Sequence, residues 1–343
     1  PRSSSKSIRS SKSRRTDRDT LLRLPLHAYP DRVVRRRDND RERGVMVGGR
    51  GVVLERASIV REGELFLALE AREPEAGSRE ARVRIASRIE ESWLRELHPS
   101  LCEEAFVHRF DLATQKVLSI RETRFAGLVL RSDIVGPSQD PEGAQRALLD
   151  HLLRDPLAAL LADEKVALLL RRLGFLKRAM PDADVPDTTA ASLGAALAQL
   201  AEGCLTMGQV RARVADGFAD TLLSYGQGQV LNREAPEALE VPSGSRIRLD
   251  YSEDAAASPV LAVRLQEVFG LAETPRLAGG RVPVLLHLLA PNYRPTQVTQ
   301  DLHSFWNGTY QEVRKELRAR YPKHPWPEDP WSAEAVAVGR RRH

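Results

Sequence analysis

The sequence VPSGSRIRLDY (residues 241–251) opens a stretch with more distinct local signals than any other part of the chain. The stretch continues with LAVRLQEVFG (261–270), GGRVPVLLHLLAP (279–291), QDLHSFWNGTYQEVRKELRARY (300–321) and PKHPWPEDP (322–330). Apolar and charged residues alternate over 246–251, which predicts a half-buried strand. Helical spacing of apolar residues predicts a short helix over 261–270, and the apolar run 281–289 predicts a covered strand.

A long amphipathic helix and a proline-rich tail are predicted to follow. The helix has one apolar stripe at steps of three and four residues, formed by Leu302, Phe305, Trp306, Tyr310, Val313 and Leu317. Pro322 ends the helix, and further prolines keep residues 322–330, the Pro-Trp tail, extended. Trp306, Tyr310 and Trp326 are therefore predicted to be structural anchors.

The order of these segments resembles the C-terminal signature of the bacterial HrpB family of DEAH-box ATP-dependent RNA helicases. The resemblance rests on SGSRIRLDY, LAVRLQEVFG, GGRVPVLLHLLAP, QVTQDLHSFW and VRKELRARYPKHPWPEDP, about a quarter of the chain. AYPDRVVRRR (28–37) is similar to the family's passage into a β-barrel after its ratchet domain. The resemblance implies a small oligonucleotide-binding (OB-like) barrel beyond that point.

The residues of a helicase motor are absent from the sequence. A motor needs a phosphate loop ending in Gly-Lys-Ser/Thr, because backbone N–H groups, Lys and a hydroxyl hold the phosphates and Mg²⁺. Residues 48–51 and 279–281 are Gly-rich but lack that pair, so they are predicted to form tight turns, and there is no Asp-Glu-Ala-His box. We expect no catalytic residue, no cofactor and no ATP hydrolysis in this chain alone, whereas the resemblance implies ATP and Mg²⁺ for a parent helicase.

Length and composition are those of a globular protein. The chain has 343 residues, of which 42% are hydrophobic and 29% charged, enough for two or three ordinary domains. Its apolar runs are far shorter than the roughly 20 residues that cross a bilayer, and no secretory signal precedes the fold. Cys102 and Cys204 are widely separated, and the histidines show no metal-ligand spacing. We therefore expect a cytoplasmic protein with free thiols, no metal site and no membrane contact.

Positive charge is concentrated in the first 50 residues. They hold 15 Lys and Arg against 6 Asp and Glu, whereas residues 51–343 hold 37 against 41. Arg32, Arg35, Arg36, Arg37, Arg41 and Arg43 form the densest group. This group is the best electrostatic candidate for a phosphate backbone.

Five segments follow from these patterns, and together they predict an α+β protein. Residues 1–25 are predicted to be a basic Ser/Arg-rich linker and 137–238 a helical unit. Residues 26–136 are predicted to be β-rich, and the resemblance implies that they form an OB-like β-barrel. Residues 239–330 are predicted to be a mixed α/β extension ending in the long helix and the Pro-Trp tail, and 331–343 a basic tail. Within these, Gly48-Gly49 predicts a hairpin, Asp155-Pro156 a helix start and 190–200 a helix.

Twelve cationic residues are candidates for nucleic-acid binding. They are Arg32, Arg35, Arg36, Arg37, Arg82, Arg84, Arg88, Arg246, Arg248, Arg314, Lys315 and Arg318. Alternate residues on a strand lie about 6.6 to 7 Å apart, which suits successive phosphates of a single strand. The alternative for Arg82, Arg84, Arg88, Arg246 and Arg248 is a solvated sheet face, and the alternative for the last three is ion pairing along the helix with Glu312 and Glu316.

Two functions remain open at this point. The first is a non-motor accessory region of an RNA helicase, which contacts single-stranded RNA or another nucleic acid and works with motor domains in cis. The second is a protein-docking or structural platform without nucleic-acid contact, suggested by the nearly neutral body and the Pro-Trp tail. The sequence identifies no protein partner.

Overall fold

The computed structural model describes residues 20–73 and 80–337, which form two compact units, residues 1–148 and 149–343. The predicted linker and basic tail lie largely outside the described residues. Residues 20–28 are helical (α1), so the linker prediction is wrong for 20–25. The reason is packing, because Leu26 is fully buried in the core of the first unit.

A closed five-stranded barrel forms part of the first unit. Its strands are β1 (Val33–Arg36), β2 (Arg43–Met46), β3 (Gly51–Leu54), β4 (Leu65–Arg72) and β5 (Ala81–Arg88), in the closed order β1-β2-β3-β5-β4. The β3–β5 pair is parallel, and the other pairs are antiparallel. One core cluster consists of Val34, Val52, Leu54, Phe66, Ala68, Ala81 and Val83. The alternation of apolar residues along short strands thus encodes this part of the fold.

The tight turn predicted at Gly48-Gly49 is confirmed. It connects β2 and β3, and both glycines have positive φ angles, +84° and +79°. Residues with a Cβ atom rarely adopt two such conformations in succession.

A second sheet follows the barrel. It consists of β6 (Cys102–Asp111), β7 (Lys116–Phe125) and β8 (Leu128–Val135), in the order β6-β7-β8. The predicted barrel segment 26–136 is therefore too long, since the barrel ends at Arg88 and its closed ring has no free edge to add a strand. Helix α2 (Glu91–Leu97) lies between the two sheets in sequence and buries Trp93 and Leu94.

Six helices occupy the middle of the chain: α3 (Pro141–Leu152), α4 (Pro156–Leu161), α5 (Glu164–Ala179), α6 (Ala190–Leu200), α7 (Met207–Leu222) and α8 (Tyr225–Glu234). The predicted start at Asp155-Pro156 is confirmed, because the Asp155 carboxylate accepts the N–H of Ala158. Helix α6 has the predicted bounds. Helix α5 continues through Gly174 because the leucines on either side of it are buried on the core side.

The C-terminal part contains a five-stranded sheet of order β15-β14-β11-β10-β9. The strands are β9 (Ala238–Glu240), β10 (Arg246–Asp250), β11 (Val260–Arg264), β14 (Leu285–Leu289) and β15 (Pro295–Thr299), and the short pair β12 (Arg276–Leu277) and β13 (Val282–Pro283) forms a hairpin. The helix predicted over 261–270 is wrong. Residues 260–264 pair in parallel with β14, which buries Leu261 and Val263, and a short 3-10 turn follows.

The predicted long helix is two helices, α9 (Leu302–Asn307) and α10 (Tyr310–Arg320). Gly308 caps the first with φ −113° and ψ −90°, outside the helical region. The apolar stripe nevertheless lies inward, since Leu302, Phe305, Trp306, Tyr310 and Leu317 are all buried. The predicted apolar stripe is therefore buried even though the helix is interrupted at Gly308.

Candidate nucleic-acid interface

Arg36 lies at the end of β1 and is buried. Its guanidinium donates hydrogen bonds to the carbonyl oxygens of Gly63 (2.8 Å), Val60 (2.8 Å) and Arg41, and it stacks over the ring of Phe66. Burial lowers its pKa, although an arginine remains charged at neutral pH. Three of the five guanidinium N–H groups are thus bound to backbone carbonyls and the side chain is buried, so Arg36 is a weaker candidate phosphate ligand than Arg35 and Arg37.

Arg35 and Arg37 lie on either side of Arg36, with side chains 29% and 43% exposed. Arg35 pairs with Asp38 at 3.0 Å, and Arg37 pairs with Glu80 at 2.8 Å. Both line a groove of about 450 Å³ in the first unit, the barrel groove. Its other lining residues are Arg36, Asp38, Val45, Gly49, Gly127, Leu128 and Val129. The groove offers one partly buried and one exposed guanidinium group, those of Arg35 and Arg37, beside an apolar wall.

Two further cations of the N-terminal group, Arg32 and Arg43, have local partners. Arg32 donates to the carbonyl of Leu69 at 2.9 Å and stacks over Tyr29. Arg43 approaches Glu80 at 3.4 Å. The densest positive region of the sequence is therefore much less positive in the folded unit than the sequence suggests.

On β5, Arg82, Arg84 and Arg88 are exposed, and Val83 between the first two is buried. Arg84 approaches Glu70 of the neighbouring strand at 3.5 Å, and Arg72 reaches the same carboxylate at 3.5 Å. The arrangement contains elements of both predictions, because the cations share one face and at least one has the cross-strand Glu partner of a solvated sheet.

Arg246 and Arg248 are exposed on β10, and Arg246 lies opposite Glu240 of β9. Arg248 lines a groove of about 950 Å³ with Glu164, Asp216, Asp220 and Glu237. Lys165 and Arg172 line the same groove, and Arg172 pairs with Glu237 at 2.9 Å, so its four carboxylates face three cations and the surroundings of Arg248 are close to neutral.

Within residues 20–73 and 80–337, no group of three or more His, Cys, Asp and Glu residues is arranged to hold a metal ion. Across the same residues, no helix combines the length and apolar character needed to span a membrane. Cys102 and Cys204 are free thiols.

Comparison with known proteins places these features in a family. Residues 196–330 match the family model described as the HrpB ATP-dependent helicase C-terminal domain. The ATP-dependent RNA helicase HrpB of Escherichia coli K12 is 34% identical over 319 residues, which cover 91% of this chain and 39% of that protein. The crystal structure of the E. coli DExH-box NTPase HrpB matches 93% of this chain and 39% of its own, with a TM-score of 0.56 at 31% identity.

Residues 196–330 are an HrpB-type C-terminal domain. The match to HrpB over most of the chain confirms the family recognised in the sequence. The chain spans 39% of the length of this curated relative.

The HrpB-type domain places its three predicted anchors at the junction of α9, α10 and the Pro-Trp tail. Trp306 is 2% exposed, and its indole N–H donates to the carbonyl of Leu271 at 2.9 Å. The Tyr310 hydroxyl donates to the carbonyl of Pro327 at 2.8 Å, and burial raises its pKa to about 12. Trp326 is buried and donates to the carbonyl of Tyr321. The tail is therefore packed against its own domain.

The three candidate cations on helix α10 of the HrpB-type domain differ, because one is hydrogen-bonded to the Pro-Trp tail and two are exposed. Arg314 donates to the carbonyl of Trp326 (2.9 Å) and to the carboxylate of Glu328 (3.0 Å). Lys315 and Arg318 are exposed. These three residues line a groove of about 680 Å³ with Gln311, Ala319 and Pro322, the α10 groove.

A polar network that the sequence did not predict lies outside the HrpB-type domain, in the first unit. The imidazole of His108 hydrogen-bonds through Nδ1 to Ser119 Oγ (2.9 Å) and through Nε2 to Asp140 Oδ2 (2.9 Å). The Gly143 N–H and then His108 lower the pKa of Asp140. Ser119 is 1% exposed, which does not suit a nucleophile. We therefore interpret the network as structural, because its three residues connect β6, β7 and the start of α3. No spacing rule could have revealed it, because the three residues meet only in the folded chain.

Proposed function

We propose that this chain is a non-motor accessory region of an HrpB-type ATP-dependent RNA helicase, and that it contacts a single strand of RNA or another nucleic acid beside motor domains in cis. The observation that carries the proposal is the barrel groove, where Arg35 and Arg37 reach solvent on a closed five-stranded barrel. The helicase class comes from the relatives, whose names describe an ATP-dependent RNA helicase and an NTPase.

The barrel is proposed to be OB-like. Its strand order, with β3 parallel to β5 and β4 closing on β1, supports a five-stranded Greek-key barrel of that kind. Such barrels bind oligonucleotides with strands 2 and 3 and with the loop between strands 1 and 2. Arg37 begins that loop here, and Val45 of β2 lines the same groove.

The ion pair of Arg35 does not prevent this role, whereas Arg37 pairs with Glu80, whose side chain is only 19% exposed. Exposed pairs contribute only about 0 to 1 kcal/mol, because water and salt screen them. The Asp38 side chain is 85% exposed, so a phosphate can replace its carboxylate at little cost. Phosphate binding then gains by releasing counterions from the nucleic acid.

ATP and Mg²⁺ belong to the proposed parent protein. The Gly-rich turns described here do not fit a phosphate loop, because Gly48-Gly49 joins two strands and Gly279-Gly280 has positive φ angles in the turn between β12 and β13. Neither turn leads into a helix, as a phosphate loop must. No step of ATP hydrolysis is assigned to these residues.

The experiment is fluorescence anisotropy with a fluorescein-labelled single-stranded oligo(U) probe. We expect Arg35→Gln/Arg37→Gln to weaken binding about tenfold at roughly 50 mM salt and to reduce the salt slope by about 1.4, since each lost phosphate contact on a single strand removes about 0.7. Arg109→Gln/Arg154→Gln removes two exposed charges elsewhere and is the matched control. Equal affinity of both double variants and the unmodified chain would contradict the proposal.

A docking platform is the second candidate, and one observation favours it. Leu153, Leu157 and Leu161, four residues apart, are 45%, 47% and 44% exposed. Such a series of exposed leucines suits an interface with another domain. If it binds the motor region, Leu157→Gln should weaken association with the separately produced motor domains in calorimetry, and an unchanged heat of binding would contradict this role.

A further inference from the structure

Helix α10 carries two cations without an acidic partner in the described part of the chain, Lys315 and Arg318. Both side chains are exposed, and no carboxylate of residues 20–73 or 80–337 lies within 4.0 Å of either head group. The neighbouring cations are paired, Arg314 with Glu328 at 3.0 Å and Arg320 with Glu316 at 3.9 Å. Because residues three apart on a helix share a face, the two unpaired charges project into the same solvent region.

The wall of the α10 groove is held in place by hydrogen bonds to the Pro-Trp tail. Arg314 bonds to Trp326 and Glu328, Gln311 donates to the carbonyl of Glu328 at 3.0 Å, and Tyr310 donates to Pro327. Four bonds along three consecutive tail residues fix the helix and the side chains of Gln311 and Arg314 at the groove, whereas the side chains of Lys315 and Arg318 stay unrestrained. Binding therefore requires ordering of the two cationic side chains but not of the helix that carries them.

We infer that the α10 groove binds the phosphates of a single nucleic-acid strand, with Lys315 and Arg318 as the contacting cations. Charge complementarity is the main argument: Lys315 and Arg318 lie on one face of α10, line the same groove and have no carboxylate of the described residues within 4.0 Å. The inference rests on the proposed function, which it extends by a second contact on the HrpB-type domain.

An aromatic residue at the end of α10 favours a nucleic acid over an acidic peptide. Tyr321, next to Pro322 of the groove, is half-buried, and its ring contacts that of His324 edge-on at 6.3 Å. Single-strand sites combine cations for the backbone with aromatic rings on which bases stack. An acidic peptide would use the cations but would have no base to place on the ring.

The test uses the whole chain and the same fluorescein-labelled oligo(U). Lys315→Gln/Arg318→Gln is expected to weaken binding about tenfold at roughly 50 mM salt and to reduce the salt slope by about 1.4. Tyr321→Leu is expected to weaken binding about fivefold, as loss of one stacking contact would. Arg109→Gln/Arg154→Gln again controls for the loss of two charges, and Lys315→Gln and Arg318→Gln alone should each give about half of the slope change.

Three results would overturn the inference. One is an affinity of the Lys315/Arg318 variant equal to that of the control. Another is a labelled poly-Glu peptide that binds as tightly as oligo(U) and is lost with the same two substitutions, which would identify an acidic partner instead. The third is complete loss of binding in Arg35→Gln/Arg37→Gln with full binding in the α10 variant, which would leave the barrel proposal standing alone. The reverse pattern would remove the barrel proposal and keep the α10 groove.

Discussion

Strand β1 and helix α10 both present a cluster of cations, and they use it differently. On β1 the central arginine, Arg36, is buried against backbone carbonyls, and its exposed neighbours pair with Asp38 and Glu80. On α10 one arginine, Arg314, fastens the tail, while Lys315 and Arg318 remain unpaired among the described residues. The difference teaches that the density of positive charge in a sequence does not measure what a ligand can reach. What counts is how many of the donors the fold has already used.

The largest effect should come from removing the buried arginine of β1. Arg36→Met leaves three carbonyl oxygens without their donor, so we expect the free energy of unfolding of the first unit to fall by about 3 kcal/mol. Arg35→Met is the control and should change it by less than about 0.5 kcal/mol. Urea unfolding followed by circular dichroism measures both, and similar losses would contradict the separation of roles on β1.

Removing the hydrogen-bonded arginine of α10 should lower the free energy of unfolding by a smaller amount. Arg314→Met removes the bonds to Trp326 and Glu328 from a side chain that is 16% exposed, and should cost about 1 to 2 kcal/mol. Arg318→Met should leave stability unchanged within about 0.5 kcal/mol while weakening oligo(U) binding. If Arg314→Met proved as stable as Arg318→Met, the tail would not depend on this arginine.

Tyr310 tests the attachment of the tail without altering charge at neutral pH. Tyr310→Phe removes the bond to Pro327 and should cost about 1 kcal/mol. Because burial raises the pKa of Tyr310 to about 12, against roughly 10 in an unfolded chain, its stabilising contribution is complete below pH 10 and is lost as the pH rises towards 12. Urea unfolding at pH 8, 10 and 11 should show a smaller alkaline loss for Tyr310→Phe, and parallel curves would be the contrary result.

The smallest effect should come from removing the acidic partner of a β1 cation, which should strengthen oligo(U) binding. Asp38→Asn removes the partner of Arg35, so we expect oligo(U) to bind about twofold more tightly while stability changes by less than about 0.5 kcal/mol. Asp182→Asn, an exposed change in the second unit, controls for net charge. Weaker binding by Asp38→Asn would mean that the carboxylate helps to position Arg35.

Sequence patterns predicted secondary structure correctly where neighbouring residues alone determine it. The Ala190–Leu200 helix, the Asp155 cap and the Gly48-Gly49 turn all follow from local chemistry. Residues 261–270 were misread because Leu261 and Leu265 suit a helix as well as a strand, and only pairing with distant β14 decides between them. Similarly, Arg36 is indistinguishable from Arg35 in sequence, since its acceptors lie 5 to 27 residues away.

The hydrogen-bond network of His108 has an evolutionary consequence. A Cβ atom at Gly143 would lie 2.7 Å from the His108 ring and still closer to the Asp140 carboxylate, so any larger residue there would force these side chains apart. Positions 108, 140 and 143 should therefore co-vary among homologues: where both the histidine and the aspartate are replaced by small residues, an alanine or serine becomes acceptable at 143. Such coupled substitutions, at positions about three dozen residues apart, would show that contact between the start of α3 and the β6-β7-β8 sheet is under selection.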